Sequence, residues 1–195
     1  MIYPKSTYNP NPLPQIRKIC LLLVCCFTLS VSAFSQADVN TLKAVYLEKF
    51  SRFITWPKEC KIEQLDQPFI IAVFGTTKLT QSLQMVYSQQ EIYNKRVIIN
   101  EITELKDIKD CHILFIADSE KKELQKILSI TNGLPILTIS ETEGMAKKGV
   151  IINFFEENNK LRFEINESAL LKSPLKMSYY LLSTARIIDP VSEKQ

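Results

Sequence analysis

With 195 residues, 46% of them hydrophobic and 23% charged, and only four glycines, the chain has the composition of one ordinary globular domain; this excludes a low-complexity or disordered polymer. Its formal net charge of +3 belongs to the N-terminus: of 24 basic residues, Lys5, Arg17 and Lys18 precede residue 36, leaving 21 against 21 acidic ones. A neutral domain with no run of basic residues lacks the electrostatic footprint of a nucleic-acid binder.

Arg17 and Lys18 precede the apolar run Ile19-Cys-Leu-Leu-Leu-Val-Cys-Cys-Phe-Thr-Leu, which is followed by small residues up to Gln36. A basic start, a short apolar centre and the Ala33-Phe34-Ser35 site predict a secretory signal peptide over residues 1–35, cut between Ser35 and Gln36. The run is short of the roughly 20 residues of a membrane span, and an uncleaved N-terminal anchor is the alternative. Residues 36–195 are then a single domain.

From Asp38 to Ile54 the residues Leu42, Val45, Tyr46, Phe50, Phe53 and Ile54 recur at three- and four-residue spacings, which predicts a helix. Asp38 or Asn40 is its candidate cap, and Trp56-Pro57 ends it. After a polar loop, Phe69-Ile-Ile-Ala-Val-Phe74 reads as a strand buried on both faces, followed by a helix over 78–89 and a strand over 96–102. His112–Ala117 is a further buried strand. Asp118-Ser119 is expected to cap a helix over 120–130, and Pro135–Ser140 is the next strand. Strands alternating with helices predict an α/β fold, a mostly parallel twisted sheet flanked by helices.

The pattern then turns antiparallel. Asn158-Asn159 suits the positive φ angles of a two-residue hairpin turn. That register pairs Phe154 with Phe163 and Ile152 with Ile165 on a core face. The opposite face carries Ile151, Phe155, Arg162 and Glu164, with Phe155 against Arg162 as a candidate cation–π pair. A final helix is expected from Ser173 and Pro174 to Ile188, turning Leu175, Tyr179, Leu182 and Ala185 inward.

Catalytic chemistry finds little support. The chain has no G-x-x-x-x-G-K-[ST], G-x-G-x-x-G or G-x-S-x-G motif. Cys111 and His112 are neighbours on a strand, so they point to opposite faces and cannot form a nucleophile–base pair. With His112 the only histidine, neither a metal site nor any other cofactor is expected. After signal cleavage only Cys60 and Cys111 remain, either as two thiols or as one disulfide. Closing a loop of about 50 residues would contribute roughly 4 kcal/mol on the chain-entropy model.

Taken in order, KAVYLEKFSRFITWP (43–57), FIIAVFG (69–75), CHILFIA (111–117), ILTIS (136–140), GVIINFFEENNKLRFEIN (149–166) and LLSTARII (181–188) resemble the YfiR/HmsC-like family of exported regulators. The resemblance implies a periplasmic, non-catalytic α/β domain that binds the sensor portion of a membrane protein such as a diguanylate cyclase or a histidine kinase. It also implies release by an outer-membrane lipoprotein, and it leaves a homodimer open. It associates Phe155, Arg162, Glu164 and Ile151 with partner contact, and it makes Arg52, Trp56 and Arg186 a candidate pocket for an anionic or aromatic small ligand. Cys111 matches a family cysteine, but the first strand and the hairpin lack the family's other cysteines, so Cys60–Cys111 is the one candidate bridge. The leading expectation is a regulator acting through the hairpin and final helix, and the alternative is a small-ligand-binding periplasmic domain.

Overall fold

The computed structural model describes residues 39–188; the expected signal peptide lies outside them. Helix α1 runs Val39–Arg52. Asn40 falls within its first turn, and Asp38 lies outside the described residues. Ala44, Leu47 and Phe50 are wholly buried, and each large side chain so buried contributes roughly 1.5–3 kcal/mol. The helix ends earlier than Trp56-Pro57 requires. The Tyr93 hydroxyl and the Trp56 indole both donate to the Ser51 carbonyl, at 2.6 and 3.2 Å, satisfying an acceptor that the terminating helix leaves open. The chain then forms the short strand β1, Ile54–Thr55.

The main sheet is built from β2 (Phe69–Phe74), β3 (Val97–Ile102), β4 (Ile113–Ile116), β5 (Leu137–Ser140), β6 (Ile152–Glu157), β7 (Lys160–Asn166) and β9 (Arg186–Ile188), in the order β3-β2-β4-β5-β6-β7-β9. The first five of these in spatial order are mutually parallel; β7 runs antiparallel to β6, and β9 is parallel to β7. Alternation on β2 sends Ile71 and Val73 to one core and Ala72 and Phe74 to the other, which is why its sequence is continuously apolar. The first core is closed by α1 and α2 (Leu79–Tyr87), and the second by α3 (Leu124–Thr131). A hydrogen bond of 2.9 Å from the Tyr87 hydroxyl to the Ala44 carbonyl ties α2 to α1.

The hairpin register agrees with the sequence: Ile152 faces Ile165, Asn153 faces Glu164, Phe154 faces Phe163 and Phe155 faces Arg162. Asn158 and Asn159 have φ of 53° and 56°, the left-handed pair that matches the twist of flanking strands.

Two local expectations are corrected. Asp118 and Ser119 do not cap a helix; they open a single 3₁₀ turn, and α3 starts only at Leu124. Asp118 instead pairs with Lys121, and the Ser119 hydroxyl accepts the Thr76 N–H at 3.1 Å. The single final helix is also absent. Its span instead holds β8 (Lys176–Met177), α5 (Tyr179–Thr184) and the edge strand β9, and a short helix α4 (Glu167–Leu171) precedes it. The reason is local competition for backbone groups. The Ser178 side chain accepts from Leu181 N and so caps a helix start inside the expected span, while the Asn166 side chain accepts from Ala169 N and caps α4 ahead of it. Between them β8 pairs antiparallel with β1, and Ser178 N donates to the Phe53 carbonyl at 2.9 Å, fastening this segment to the end of α1.

Candidate functional site

In α/β sheets a ligand commonly sits beyond the strand carboxyl ends where the strand order reverses, here between β2 and β4. That crevice is filled by the protein's own side chains. Gly75 has φ +91°, and a Cβ there would lie 2.4 Å from the Ser119 hydroxyl and 2.5 Å from the Glu120 side chain. Glycine allows this close approach, and the space a phosphate would need is taken.

The hairpin and the chain after it form a different surface. Tyr46, Phe50, Phe154 and Phe163 make an aromatic cluster across α1, β6 and β7, with Phe50 and Phe163 edge-to-face at 4.9 Å. Such pairs add roughly 0.5–1.5 kcal/mol each beyond the area they bury. Above this floor, α1, β7 and α5 bound a groove of about 260 Å³, walled by Tyr46, Phe53, Leu161 and Tyr180, with Lys49 and Arg162 also lining it. Tyr180 packs against Phe53 in a tilted arrangement, ring centroids 5.1 Å apart, yet is 65% exposed, and its neighbour Tyr179 is 84% exposed. Tyr179 therefore does not turn inward as a long final helix would require; Leu175 and Leu181 supply the buried contacts.

The YfiR/HmsC-like family model matches residues 40–186, nearly all of the described fold. The chain belongs to this family. No significant match was found among curated proteins. Among the described residues, no helix of this family member is long and apolar enough to cross a membrane.

The hairpin face read from the sequence as a partner surface divides into a closed base and an open tip. Glu164 is 7% exposed and accepts a 3.3 Å hydrogen bond from Asn153, itself buried. Ile151 is buried with Ile152 and Phe154 in the first core; a bend at its position breaks the strict alternation that placed it beside Phe155. Phe155 is half-buried and Arg162 is exposed. The cation over Phe155 is Arg186, not Arg162: the Arg186 guanidinium carbon lies 3.9 Å from the ring centroid. Residue 186 pairs with Glu164 on β7, so its side chain reaches across that strand to Phe155 and to an ion pair with Glu157.

Arg52, Trp56 and Arg186 do not converge on one pocket. Arg52 is exposed and paired with Glu48 along α1. Trp56 packs edge-on against Phe69 and His112, at 5.7 and 5.8 Å, on the first-core side of the sheet. Arg186 covers Phe155, which alternation places on the face opposite Phe154 and hence opposite that core.

Cys60 and Cys111 are free thiols, so the candidate bridge is not formed. The Cys60 sulfur faces the Pro135 carbonyl, while Cys111 donates to the Ile108 carbonyl at 3.2 Å and packs in the second core. Burial first, and then the neighbouring Glu59 or Asp110, pushes Cys60 up to about 11 and Cys111 up to about 12, which leaves both in the unreactive thiol form. His112 turns to the opposite face, as alternation requires, and stacks on Phe69 at 4.4 Å. Its Nδ1 accepts the Ile70 N–H at 3.0 Å, so Nε2 carries the proton and donates to the Cys60 carbonyl at 3.1 Å. Burial depresses its pKa, and a neutral ring with both nitrogens engaged is a structural tie, not a general base.

Lys95 was missed in the sequence. Its side chain is wholly buried, and the ammonium donates to the Lys61 and Gln64 carbonyls at 2.6 and 2.8 Å, pinning the loop between β1 and β2. The available signal was Tyr93-Asn94, a left-handed pair with φ of 56° and 57° that turns the chain so that Ile92 and Lys95 face each other.

Proposed function

We propose that this protein is a non-catalytic periplasmic regulator that binds the extracytoplasmic portion of a membrane signalling protein, a diguanylate cyclase or a histidine kinase, through the groove between α1, β7 and α5. The observation that carries the reading is the pair Tyr179 and Tyr180, large aromatic side chains left exposed beside an aromatic floor and next to two cations. Tyr and Arg are the residue types that dominate binding energy at protein interfaces, and exposed aromatics cost solubility unless something covers them. Family membership and the plugged strand-end crevice support the same reading. Arg162, which lines the groove, carries this surface onto the hairpin tip. An outer-membrane lipoprotein that competes for it would release the target.

The test is retention of membrane signalling proteins on the immobilised full chain, with Tyr180→Ala and Arg162→Glu compared with wild type. Both positions are exposed, so melting curves should be unchanged. The expected result is a cyclase or kinase sensor held by wild type and weakened roughly tenfold or more by Tyr180→Ala. Retention of the same sensor by both variants at wild-type strength would refute the surface. Failure of wild type to hold any membrane signalling protein would refute the function.

A further inference from the structure

A second groove, of about 1000 Å³, lies at the amino ends of β5 and β6 and shares no residue with the aromatic groove. It is bounded by the end of α3, the 3₁₀ turn Ala146–Lys148, the end of β7 and α4. Its lining includes Lys147, Lys148 and Lys172 and contains no aspartate or glutamate. The three lysines are exposed, and among the described residues none of them is in an ion pair. Most other lining groups are small and polar, with glycines at 133, 144 and 149. At Gly133 and Gly144 a Cβ would meet nothing within 4 Å, so the backbone is open to a ligand there.

One buried group in the lining points the same way. Thr138 is 2% exposed, and its hydroxyl oxygen accepts the Ile151 N–H at 3.0 Å. A threonine hydroxyl can also donate, and its proton has no acceptor among the described residues. A buried donor without an acceptor is costly, and it suits an anion lodged in the groove. Leu128 and Ala169 add an apolar part to the same wall.

We propose that this groove is a binding site for a multiply charged anion of the phosphate class, held by Lys147, Lys148 and Lys172 with the Thr138 hydroxyl as a neutral donor. Its volume is at the upper end of small-molecule sites, so an organic phosphate is accommodated as well as a bare one. The phosphate could come from a free solute or from the headgroup of an anionic lipid, and two arms of one experiment separate these sources.

Inorganic pyrophosphate is titrated into the full chain by calorimetry at about 50 mM and about 200 mM salt, and phosphatidylglycerol vesicles are offered in a flotation assay. The triple variant Lys147→Gln/Lys148→Gln/Lys172→Gln is compared with Lys58→Gln/Lys160→Gln/Lys176→Gln, which removes the same charge from exposed positions elsewhere. At roughly threefold to fivefold per lysine, the groove variant should weaken binding about 30-fold or more, with affinity falling as salt rises, while the control variant stays close to wild type. That pattern with pyrophosphate supports a free anion, and the same pattern with vesicles alone supports a headgroup. Equal weakening by both variants, or no lysine-dependent binding in either arm, overturns the proposal.

Discussion

Replacing Lys95 by methionine isolates the contribution of one buried ammonium while keeping a straight apolar chain in its place. Lys95 is wholly buried and donates at 2.6 and 2.8 Å to the Lys61 and Gln64 carbonyls, with a longer 3.5 Å approach to Ile62. Hydrogen bonds from a charged donor contribute roughly 1.5–3 kcal/mol each, so the two short ones set a gross loss of about 3–6 kcal/mol. Two effects reduce it. Lys61 and Gln64 carbonyls each keep a backbone partner, the N–H groups of Gln64 and Gln67, and the variant no longer has to strip water from a cation. The net expectation is a destabilisation of about 2–3 kcal/mol, or a fall in Tm of roughly 4–12 °C for a domain of this size. Urea unfolding of both proteins measures the difference, and hydrogen exchange should show residues 61–67 opening before the sheet. A variant as stable as wild type, with unchanged exchange in that loop, would refute the assignment of Lys95 as the pin.

The remaining predictions concern protons and thiols. Burial holds the folded pKa of His112 below the ordinary histidine value of about 6.5, so the unfolded chain binds more protons as pH falls through that range. Its stabilising contribution is full above about pH 6.5 and is lost on acidification below it; protonation would also set an N–H against the Ile70 amide. Urea midpoints measured from about pH 7.5 to 5 should therefore fall for wild type and fall less for His112→Gln, and parallel curves would refute the assignment. With Cys60 near 11, on the order of one thiol in a thousand is ionised at pH 8, and fewer still at Cys111. Alkylation of the native protein should be at least tenfold slower than of the urea-unfolded chain, whereas equal rates would show that neither burial nor charge protects the thiols.

Much of the fold was legible because it rests on local signals. The continuous apolar runs at 69–74 and 113–116, the helical spacing of 79–87 and the Asn158-Asn159 turn are each decided within a few residues, by alternation, period or φ preference. The hairpin register followed from that turn, since a shift of one residue would expose Phe154 and Phe163. Where the expectations failed, side-chain caps and distant strands had competed with periodicity. Residues 173–188 carry a helix-like apolar spacing. The Ser178 cap, however, starts a new helix, β1 captures Lys176–Met177, and β7 captures Arg186–Ile188.

The division between the two levels is clearest at the candidate sites. Sequence alone determined the class of fold, the opposite directions of Cys111 and His112, and the two faces of the hairpin, because strand alternation is a property of the backbone. Only the tertiary structure decided what covers those faces. It buried Glu164 and Ile151, laid Arg186 over Phe155, kept Cys60 and Cys111 apart, and brought Lys147, Lys148 and Lys172 to one groove. Those outcomes depend on contacts between residues far apart in the chain, and no local spacing encodes which surface meets which.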